Sequence, residues 1–323
     1  MSDIVIGFDT SNYRTSVAAA TTEGEVLLNL RKLLPVAEGE RGLRQNEAVF
    51  IHLKQLRELS EALRDGLNGQ KIAAAASSVR PRCQEDSYMP VFLVGETAGR
   101  TLAAAENLPF FATDHQNGHI RAAAYGTALE KEERYLALHL SGGTTELVEK
   151  NGDALILLGG TLDLHAGQLV DRTGVAMGLH FPAGPELEQL ALEGRSEGLL
   201  GCSMAEKDLK CHFSGAETRV RQWIAEGKMT RQDMAREVYD LLSRTVFRML
   251  EAGRKKTGIR KALIAGGVAS SALFREMLEA RCERSLHGPE PVFGRAEYSG
   301  DNAAGVALIG AARLRKEREE KQP

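Results

Sequence analysis

The chain lacks the features that mark membrane, secreted and disulfide-stabilised proteins. No apolar run approaches the ~18 to 20 residues that a membrane-spanning helix needs, and the start of the sequence has no basic segment, apolar signal core or cleavage site. Its cysteines (Cys83, Cys202, Cys211 and Cys282) are far apart and form no Cys-x-x-Cys pair, so we expect reduced thiols. We therefore expect a cytoplasmic protein that does not bind membranes.

A strong excess of one charge is also missing. The net charge is −3 at pH 7, with 26% charged residues. This near-neutral net charge argues against a protein that binds nucleic acid over its whole surface, although it allows a local basic patch. A hydrophobic content of 43% is ordinary for a globular protein, and 323 residues suit two domains or two similar halves.

One local pattern occurs twice in the chain. An apolar strand at 4–9 is followed by a polar segment at 10–15 and a second apolar strand at 16–20. The same pattern returns about 130 residues later at 135–148, through the small-residue segment 141–145. The polar segments are typical of hairpin turns. The repeat predicts a duplicated fold with a cleft between its halves.

Helical periodicity fills the spaces between these strands. Apolar residues recur at helical spacing over 46–67, and a second helix is predicted to begin after Thr230 and to end before Gly258. Lys261–Ala265 is a short apolar strand, and strands that alternate with helices predict an α/β fold. The buried stripe of the second helix is predicted to be Met234, Val238, Leu241, Val246 and Met249.

These patterns divide the chain into two lobes. We assign residues 1–130 to an N-terminal lobe and residues 131–300 to a C-terminal lobe. A last helix at 301–317 is predicted to pack back on the N-terminal lobe. The charged residues 318–323 are predicted to form a solvated, frayed tail.

Two histidines form the most informative motif. In His115-Gln116-Asn117-Gly118-His119 the imidazoles are four residues apart, so a helix would place both on one face. Asp301 in Ser299-Gly300-Asp301-Asn302 could complete a set of two histidines and one carboxylate for a metal ion. Two histidines and one aspartate are also a common coincidence in a chain of this length.

A peptidase reading of this motif is unfavourable. Helical zinc peptidases use His-Glu-x-x-His, in which the glutamate activates the metal-bound water. Here Gln116 follows the first histidine, and Gly118 weakens a regular helix.

Several loops could hold a ligand. The backbone N–H groups of Ser141, Gly142 and Gly143 could bind an anionic or carbonyl oxygen, although a tight hairpin would use the same residues. Gly266 and Gly267 end a strand before a helix that begins near Ser270, where a nucleotide could approach the backbone.

Two further segments each allow two interpretations. Asp171 could accept hydrogen bonds from ligand hydroxyls or could pair with a neighbouring basic side chain. For the small-residue turn His212-Phe213-Ser214-Gly215 we favour a structural role.

Taken in order, these segments resemble the threonylcarbamoyl-transferase family, whose bacterial members are the TsaD proteins, long labelled O-sialoglycoprotein endopeptidases. The resemblance runs over nearly the whole chain. It rests on Gly7-Phe8-Asp9-Thr10-Ser11, Val94-Gly95-Glu96-Thr97-Ala98-Gly99-Arg100, the histidine pair, Ser141-Gly142-Gly143, Phe181-Pro182-Ala183-Gly184-Pro185, Phe213-Ser214-Gly215, Ala265-Gly266-Gly267-Val268 and Asp301-Asn302.

The resemblance implies a two-lobed α/β fold of the actin, sugar-kinase and Hsp70 type (ASKHA). It implies that His115, His119 and Asp301 hold one iron or zinc ion, and that the ligand is threonylcarbamoyl-AMP. The implied acceptor is the tRNA adenosine beside the anticodon, and the implied partners are TsaB-like and TsaE-like subunits. Ligand-binding residues expected from the resemblance and the loops are His139, Leu140, Ser141, Gly142, Gly143, Asp171, Gly184, Gly266, Gly267 and Ser271. No side chain stands out as a general base.

The sequence also departs from the family pattern. The family's glutamate inside the histidine motif is Asn117, its histidine after Ser-Gly-Gly is Thr144, and an expected asparagine is Ser271. A basic residue after Phe-Ser-Gly is replaced by Glu217, which weakens a basic footprint for tRNA. These departures indicate a divergent branch or a paralogue.

Two other functions remain open. The first is a non-catalytic or altered-substrate paralogue that binds nucleotide or partner subunits. The second is a small-molecule kinase or ATPase of the same fold, in which Asp9, Thr10 and Ser11 hold phosphate or Mg with the nucleotide. The histidine pair has no part in that kinase mechanism, and peptide hydrolysis ranks last.

Overall fold

The computed structural model describes residues 2–11, 14–35, 43–82, 87–201, 203–205, 207, 209–300 and 302–321. Within this part of the chain, no helix is both long enough and apolar enough to cross a membrane. The chain divides into two compact units, which are described separately. Unit 1 is Met1–Tyr125 with Glu297–Pro323, and unit 2 is Gly126–Ala296.

Unit 1 contains a mixed sheet with strand order β3-β2-β1-β4-β5. Strands β1, β2 and β3 form an antiparallel meander, and β4 and β5 extend the sheet from β1 in parallel. The strands are β1 (Ile4–Thr10), β2 (Arg14–Thr21), β3 (Val26–Leu33), β4 (Ile72–Ser78) and β5 (Phe110–Thr113), and the helices are α1 (Gln45–Leu67), α2 (Phe92–Ala105), α3 (His115–Ala124) and α9 (Ala304–Glu320).

Unit 2 contains a second mixed sheet with strand order β12-β11-β6-β7-β8-β10-β9. The strands are β6 (Arg134–Leu140), β7 (Thr145–Asn151), β8 (Ala154–Thr161), β9 (Ser203–Ala205), β10 (Lys210–His212), β11 (Lys261–Ala265) and β12 (Glu290–Phe293). The helices are α4 (Ala166–Ala176), α5 (Gly184–Glu193), α6 (Ser214–Glu226), α7 (Arg231–Thr257) and α8 (Ala272–Glu283).

The two sheets repeat one topology, as the sequence repeat predicts. In unit 2, β6, β7 and β8 form an antiparallel meander, and β11 and β12 continue from β6 in parallel. The order β8-β7-β6-β11-β12 therefore corresponds to β3-β2-β1-β4-β5. The polar segments after β1 and β6 join antiparallel neighbours, so both predicted hairpins are confirmed.

The central strand of unit 1 is buried on both faces, which explains its continuous apolar run. Ile4, Ile6 and Phe8 pack toward α1 and α2 in one apolar cluster. Val5, on the opposite face, belongs to a second cluster with Val306 of α9. Side chains alternate along a strand, so this arrangement places helices on both faces of the sheet.

The predicted helix after Thr230 is confirmed as α7. The Thr230 side chain accepts a hydrogen bond from the Asp233 N–H at 3.1 Å, and Gly258 ends the helix with a φ of 76°. All five residues of the predicted stripe are buried at 3% exposure or less.

The end of α9 differs from the sequence prediction. We expected a frayed tail from residue 318, whereas the helix continues to Glu320. Arg318 donates a hydrogen bond to Asp3 of unit 1 at 2.7 Å, and Lys321 lies 3.8 Å from Glu317 one turn earlier. Glutamate, lysine and arginine are good helix formers, so these charges favour the helix instead of ending it.

Helix α3 packs unusually close to α9. A Cβ atom placed on Gly305 would lie 1.8 Å from the carbonyl oxygen of Gly118, and one on Gly118 would lie 3.0 Å from Val306. Only glycine at position 305 permits this backbone contact. Gly118 therefore does not prevent the helix, because tertiary packing against α9 offsets its low helix propensity.

A buried carboxylate fixes the loop that precedes β9. Glu237 of α7 is 1% exposed and accepts hydrogen bonds from the backbone N–H groups of Glu197, Gly198 and Leu200, at 2.6, 2.9 and 3.2 Å. A buried charge needs such partners. Glu237 is therefore a structural carboxylate of unit 2.

His52 of α1 is a buried histidine that contacts β2. Its Nδ1 lies 2.8 Å from the hydroxyl of Thr15, and that hydroxyl donates to Gln55 at 2.6 Å. Burial lowers the pKa of His52 to about 4, although the nearby Ser11 backbone and the Asp9 charge oppose this effect. The histidine is therefore neutral in the folded protein at pH 7.

Gly305→Ala is expected to destabilise unit 1 by about 3 kcal/mol or more, because the new methyl group meets backbone that cannot move aside easily. Urea unfolding at pH 7 measures this loss. Gly215→Ala is the matched control, since a Cβ at that position in the first turn of α6 meets nothing within 4 Å. Equal stability of the two variants would contradict the close α3–α9 contact.

His52 predicts a pH-dependent stability. The unfolded chain takes up its proton near pH 6.5 and the folded chain only near pH 4, so stability is full above pH 6.5 and falls between these values. From pH 7 to pH 5 the loss is about 2 kcal/mol. Urea unfolding should show this slope reduced in His52→Gln and retained in the exposed variant His180→Gln. A slope unchanged in His52→Gln would refute the assignment.

Candidate functional site

The two histidines of the predicted metal pair lie on one face of α3. Their ring centroids are 4.4 Å apart and the rings meet edge to face at 85°. His115 begins the helix and His119 follows one turn later, at 9% exposure. The structure therefore brings both imidazoles together, and their role as metal ligands stays a prediction.

Asp301, the predicted third ligand, lies outside the described residues. Among the residues that the structure does describe, no group of three or more His, Cys, Asp or Glu side chains is arranged to hold a metal ion. Asn302, the next residue, anchors this segment at the start of α9. Its side chain donates to the carbonyl oxygens of Tyr298 and Gly300 at 3.1 and 2.6 Å and accepts from the Ala304 N–H at 3.0 Å.

The histidine pair fits an iron or zinc ion in its chemistry. Nδ1 of His115 lies 2.9 and 3.1 Å from the two carboxylate oxygens of Asp9. Histidine ligands commonly bind a metal through one ring nitrogen while the other donates to a carboxylate. The Asp9–His115 contact has this form.

Asp114 explains why the helix begins at His115. Its side chain accepts hydrogen bonds from the Asn117 N–H at 2.8 Å and from the Asn117 side-chain amide at 2.7 Å. Aspartate at the N-cap satisfies backbone N–H groups that have no partner inside the helix. Asn117, where the family has glutamate, therefore binds the helix cap.

The three residues proposed for phosphate or Mg have other contacts in the structure. Thr10 donates its hydroxyl hydrogen to the Val91 carbonyl at 2.8 Å and accepts from the Gly95 N–H at 3.0 Å. Asp9 contacts His115 and also accepts a hydrogen bond from the Ser78 hydroxyl. Ser11 is buried at 3% exposure. Their role in holding phosphate stays a prediction.

In unit 2 the Ser141-Gly142-Gly143 loop closes the hairpin between β6 and β7. The Ser141 hydroxyl accepts from the N–H groups of Gly143 at 3.3 Å and Thr144 at 3.0 Å. Gly142 and Gly143 are exposed. An anion that used the N–H groups of Gly143 and Thr144 would have to displace the Ser141 hydroxyl, and ligand binding by this loop stays a prediction.

The strand-ending glycine at 266 lies against this hairpin. Gly266 has a φ of +102°, and a Cβ there would lie 2.2 Å from the Leu140 carbonyl oxygen and 2.9 Å from the His139 ring. Ala265 pairs with His139 across the parallel strands β11 and β6. The predicted ligand residues 139–143 and 266–267 therefore meet at the carboxyl ends of β6 and β11, where open α/β sheets usually bind ligands.

Asp171, Gly184 and Ser271 meet around a tyrosine. Asp171 accepts a hydrogen bond from the Ala183 N–H at 2.9 Å, and burial raises the pKa of Asp171. The Tyr239 hydroxyl donates to the Gly184 carbonyl at 3.2 Å, and the nearby Ser271 side chain lowers the pKa of Tyr239. Asp171 therefore supports the start of α5. Among the described residues, no basic side chain pairs with Asp171, and its contact with a ligand hydroxyl stays a prediction.

The sequence analysis did not identify Tyr239, because it lies within the predicted helix α7, where its spacing is that of a core residue. Burial raises the pKa of Tyr239 well above its ordinary value, and the charges of Glu188 and Asp171 raise it further. The hydroxyl is therefore protonated at neutral pH and acts as a donor beside the predicted ligand residues.

Asp163 was also missed, and it explains the His212–Gly215 segment. It accepts hydrogen bonds from the Ser214 hydroxyl at 2.6 Å and from the N–H groups of Phe213 and Leu164 at 2.7 and 2.6 Å. Burial alone would raise the pKa of Asp163, but these hydrogen bonds lower it to about 2. The segment is therefore the capped start of α6, which agrees with a structural role.

A family profile described as "TsaD: tRNA N6-adenosine threonylcarbamoyltransferase" matches residues 88–308. This range covers more than half of the chain and contains both histidines, the hairpin loop and the glycine pair. A protein from Oenococcus oeni named tRNA N6-adenosine threonylcarbamoyltransferase is 29% identical over 96% of this chain and 91% of its own length.

Solved structures agree with the predicted fold. HypF from T. kodakarensis superposes with a TM-score of 0.63 at 13% identity, over 98% of this chain and 48% of the HypF chain. A ROK family glucokinase from Streptomyces griseus has a TM-score of 0.52 at 13% identity, over 96% of this chain and 98% of its own. Component A of (R)-2-hydroxyglutaryl-CoA dehydratase from Acidaminococcus fermentans has a TM-score of 0.55 at 15% identity, over 97% and 100%.

At such low identity these likenesses concern the fold alone, and they confirm the predicted ASKHA-type α/β architecture. The family is shown by the profile match, which spans the histidine pair of unit 1 and the ligand-binding loops predicted in unit 2. The chain belongs to the TsaD family of carbamoyl-transferring enzymes, described as tRNA N6-adenosine threonylcarbamoyltransferase.

Proposed function

We propose that this protein transfers the threonylcarbamoyl group of threonylcarbamoyl-AMP to N6 of the tRNA adenosine beside the anticodon, in the cytoplasm. The observation that carries the proposal is the family match over residues 88–308. That range contains the edge-to-face pair of His115 and His119 and the loops at the ends of β6 and β11. The histidine pair and these loops are each held in a defined conformation by the contacts described above.

The reaction is an acyl transfer that conserves atoms and charge. The N6 amine attacks the carbamoyl carbon, a new C–N bond forms, and the bond from that carbon to the phosphate oxygen breaks. AMP leaves with the electron pair, and one proton leaves N6. The protein's contribution is to position the two substrates, which can supply a large part of the acceleration.

His115, His119 and Asp301 would hold one iron or zinc ion in this proposal. Such an ion supplies Lewis-acid polarisation of a carbonyl or phosphoryl oxygen and helps to orient the donor. In unit 2, we expect residues 139–143, Gly266 and Gly267 to bind the nucleotide. Asp171 and Tyr239 would fix the backbone at Gly184, which we propose as a further contact.

An altered-substrate or non-catalytic paralogue is the second candidate. Glu217 replaces a lysine of the family. Its carboxylate oxygens lie 3.5 Å from a guanidinium nitrogen of Arg172 and 3.0 Å from one of Arg221. These ion pairs reduce the free positive charge on this part of unit 2, and positive charge dominates binding to RNA phosphates. This observation favours a changed acceptor.

A kinase or ATPase role ranks below both. It would need Asp9 for Mg with the nucleotide, and Asp9 contacts His115 and Ser78 instead.

We also propose TsaB-like and TsaE-like subunits as partners. Co-elution with such subunits in gel filtration would support this assembly, and separate elution would count against it.

His115→Ala and His119→Ala are each expected to lower bound iron or zinc from about one ion per chain to near zero and to reduce transfer at least 100-fold. Elemental analysis and a transfer assay with tRNA measure both effects. His180→Ala, at an exposed position, is the control and should match the wild type. Full transfer by a metal-free His115→Ala protein would exclude the proposed metal role.

A non-hydrolysable threonylcarbamoyl-AMP analogue is expected to bind more tightly than ADP in calorimetry. Asp171→Asn should weaken this binding about tenfold, because the amide is a poorer acceptor for the N–H groups that begin α5. Glu226→Gln, at an exposed ion pair, is the matched control. Tight analogue binding without transfer to tRNA would favour the paralogue, and a preference for ADP would favour the kinase role.

A further inference from the structure

Asp9 occupies an unusual position at the end of β1. The strand is buried along its whole length, and Asp9 is 1% exposed. A carboxylate is placed in such surroundings only if nearby groups satisfy its charge. Two described side chains do so. The Ser78 hydroxyl of β4 donates to Oδ1, and Nδ1 of His115 lies within hydrogen-bond distance of both carboxylate oxygens.

The contact determines which nitrogen of His115 carries hydrogen. A carboxylate accepts hydrogen bonds and donates none, so Nδ1 of His115 must be the protonated nitrogen. In a neutral imidazole the lone pair is then on Nε2, which is the atom that can bind a metal ion. The distances of 2.9 and 3.1 Å show one N–H shared between the two oxygens.

The His115 ring is also confined by its other neighbours. The Phe92 ring of α2 lies 5.8 Å away at an angle of 59°, and the His119 ring meets it edge to face at 4.4 Å. The His115 backbone N–H donates to the Arg80 carbonyl at 2.9 Å. Strand β1, strand β4 and helix α2 therefore all contribute to the orientation of one imidazole.

These contacts disfavour a second role for Asp9, as a ligand of Mg with nucleotide. A Mg ion bound to the carboxylate would compete for the oxygens that accept from His115 and Ser78. Magnesium prefers a site with several waters, and Asp9 is almost completely buried. The contacts therefore favour a partner of the histidine over a ligand of Mg with nucleotide.

We propose that Asp9 is a positioning residue for the metal site: through His115 it fixes the ring and its tautomer so that Nε2 faces an iron or zinc ion. Ser78 holds Asp9 in turn. The inference rests on the proposed metal site and adds residues to it that neither the histidine motif nor Asp301 implies. Its effect is on metal affinity, with transfer affected as a consequence.

The test measures metal affinity alone, by competition of Zn²⁺ with a chelator and without tRNA or nucleotide. Asp9→Asn keeps an acceptor oxygen and loses the charge, and Asp9→Ala loses both. We expect Zn²⁺ affinity to fall about tenfold in Asp9→Asn and about 100-fold in Asp9→Ala, as for other carboxylate–histidine pairs. Ser78→Ala should give a smaller loss.

Glu237→Gln is the matched control, because it also removes one buried carboxylate charge but lies in unit 2, where it accepts hydrogen bonds from the 197–200 loop. It should lower the urea midpoint and leave Zn²⁺ affinity unchanged. The Co²⁺-substituted protein gives a second readout, since the visible spectrum should shift in Asp9→Asn and not in Glu237→Gln.

Two outcomes separate this inference from the proposed function. If the wild-type protein binds no Zn²⁺, Fe²⁺ or Co²⁺, the metal site itself is wrong. If the wild type binds metal and folded Asp9→Asn and Asp9→Ala bind it equally well, the site stands and the role of Asp9 is overturned. Urea unfolding of the metal-free variants shows whether they are folded.

Discussion

The close packing of α3 on α9 is the constraint on which unit 1 depends. The Gly118 carbonyl lies where a side chain at position 305 would begin, so the two backbones can approach only because Gly305 has none. This contact holds the helix that carries His115 and His119 against the helix that follows Asn302. Helix α9 also packs on the sheet, where Val306 lies in one apolar cluster with Val5 of β1. The close backbone contact between α3 and α9 therefore helps to link the histidine pair to the core.

Much of the fold could be predicted from the sequence, because its signals are local and periodic. The hairpins after β1 and β6 follow from apolar strands on either side of a polar segment, and α7 follows from its cap and its stripe. For the tail, residues 318–320 are exposed as predicted, but they continue α9 instead of fraying from residue 318. The same residues are good helix formers, and Asp3, which pairs with Arg318, is more than 300 residues distant in the sequence.

The candidate site was predictable only in part, because only some of its residues have a local signal in the sequence. The spacing of His115 and His119 places them on one helical face from local geometry alone. The cap at Asp114 also has a local signal, an aspartate directly before the helix. The contacts of Asp9 and Tyr239 have no local signal, because their partners are on other elements: Asp9 meets His115 across 106 residues and Tyr239 meets Gly184 across 55. Such contacts depend on the topology of the sheet, which periodicity does not specify.

The residues that depart from the family pattern make favourable contacts with their neighbours. These contacts indicate which part of the function differs from that of the family. Asn117 completes the cap of its own helix. Glu217 lies between Arg172 and Arg221, so a lysine there would place a third positive charge beside two others and would be destabilising. The negative charge of Glu217 therefore balances the positive charges of its two arginine neighbours. At the histidine pair, Asp9 likewise forms hydrogen-bond contacts with Ser78 and His115. We therefore expect a difference in substrate to concern the surface of α4 and α6, while the contacts around His115 and His119 are compatible with the proposed metal site.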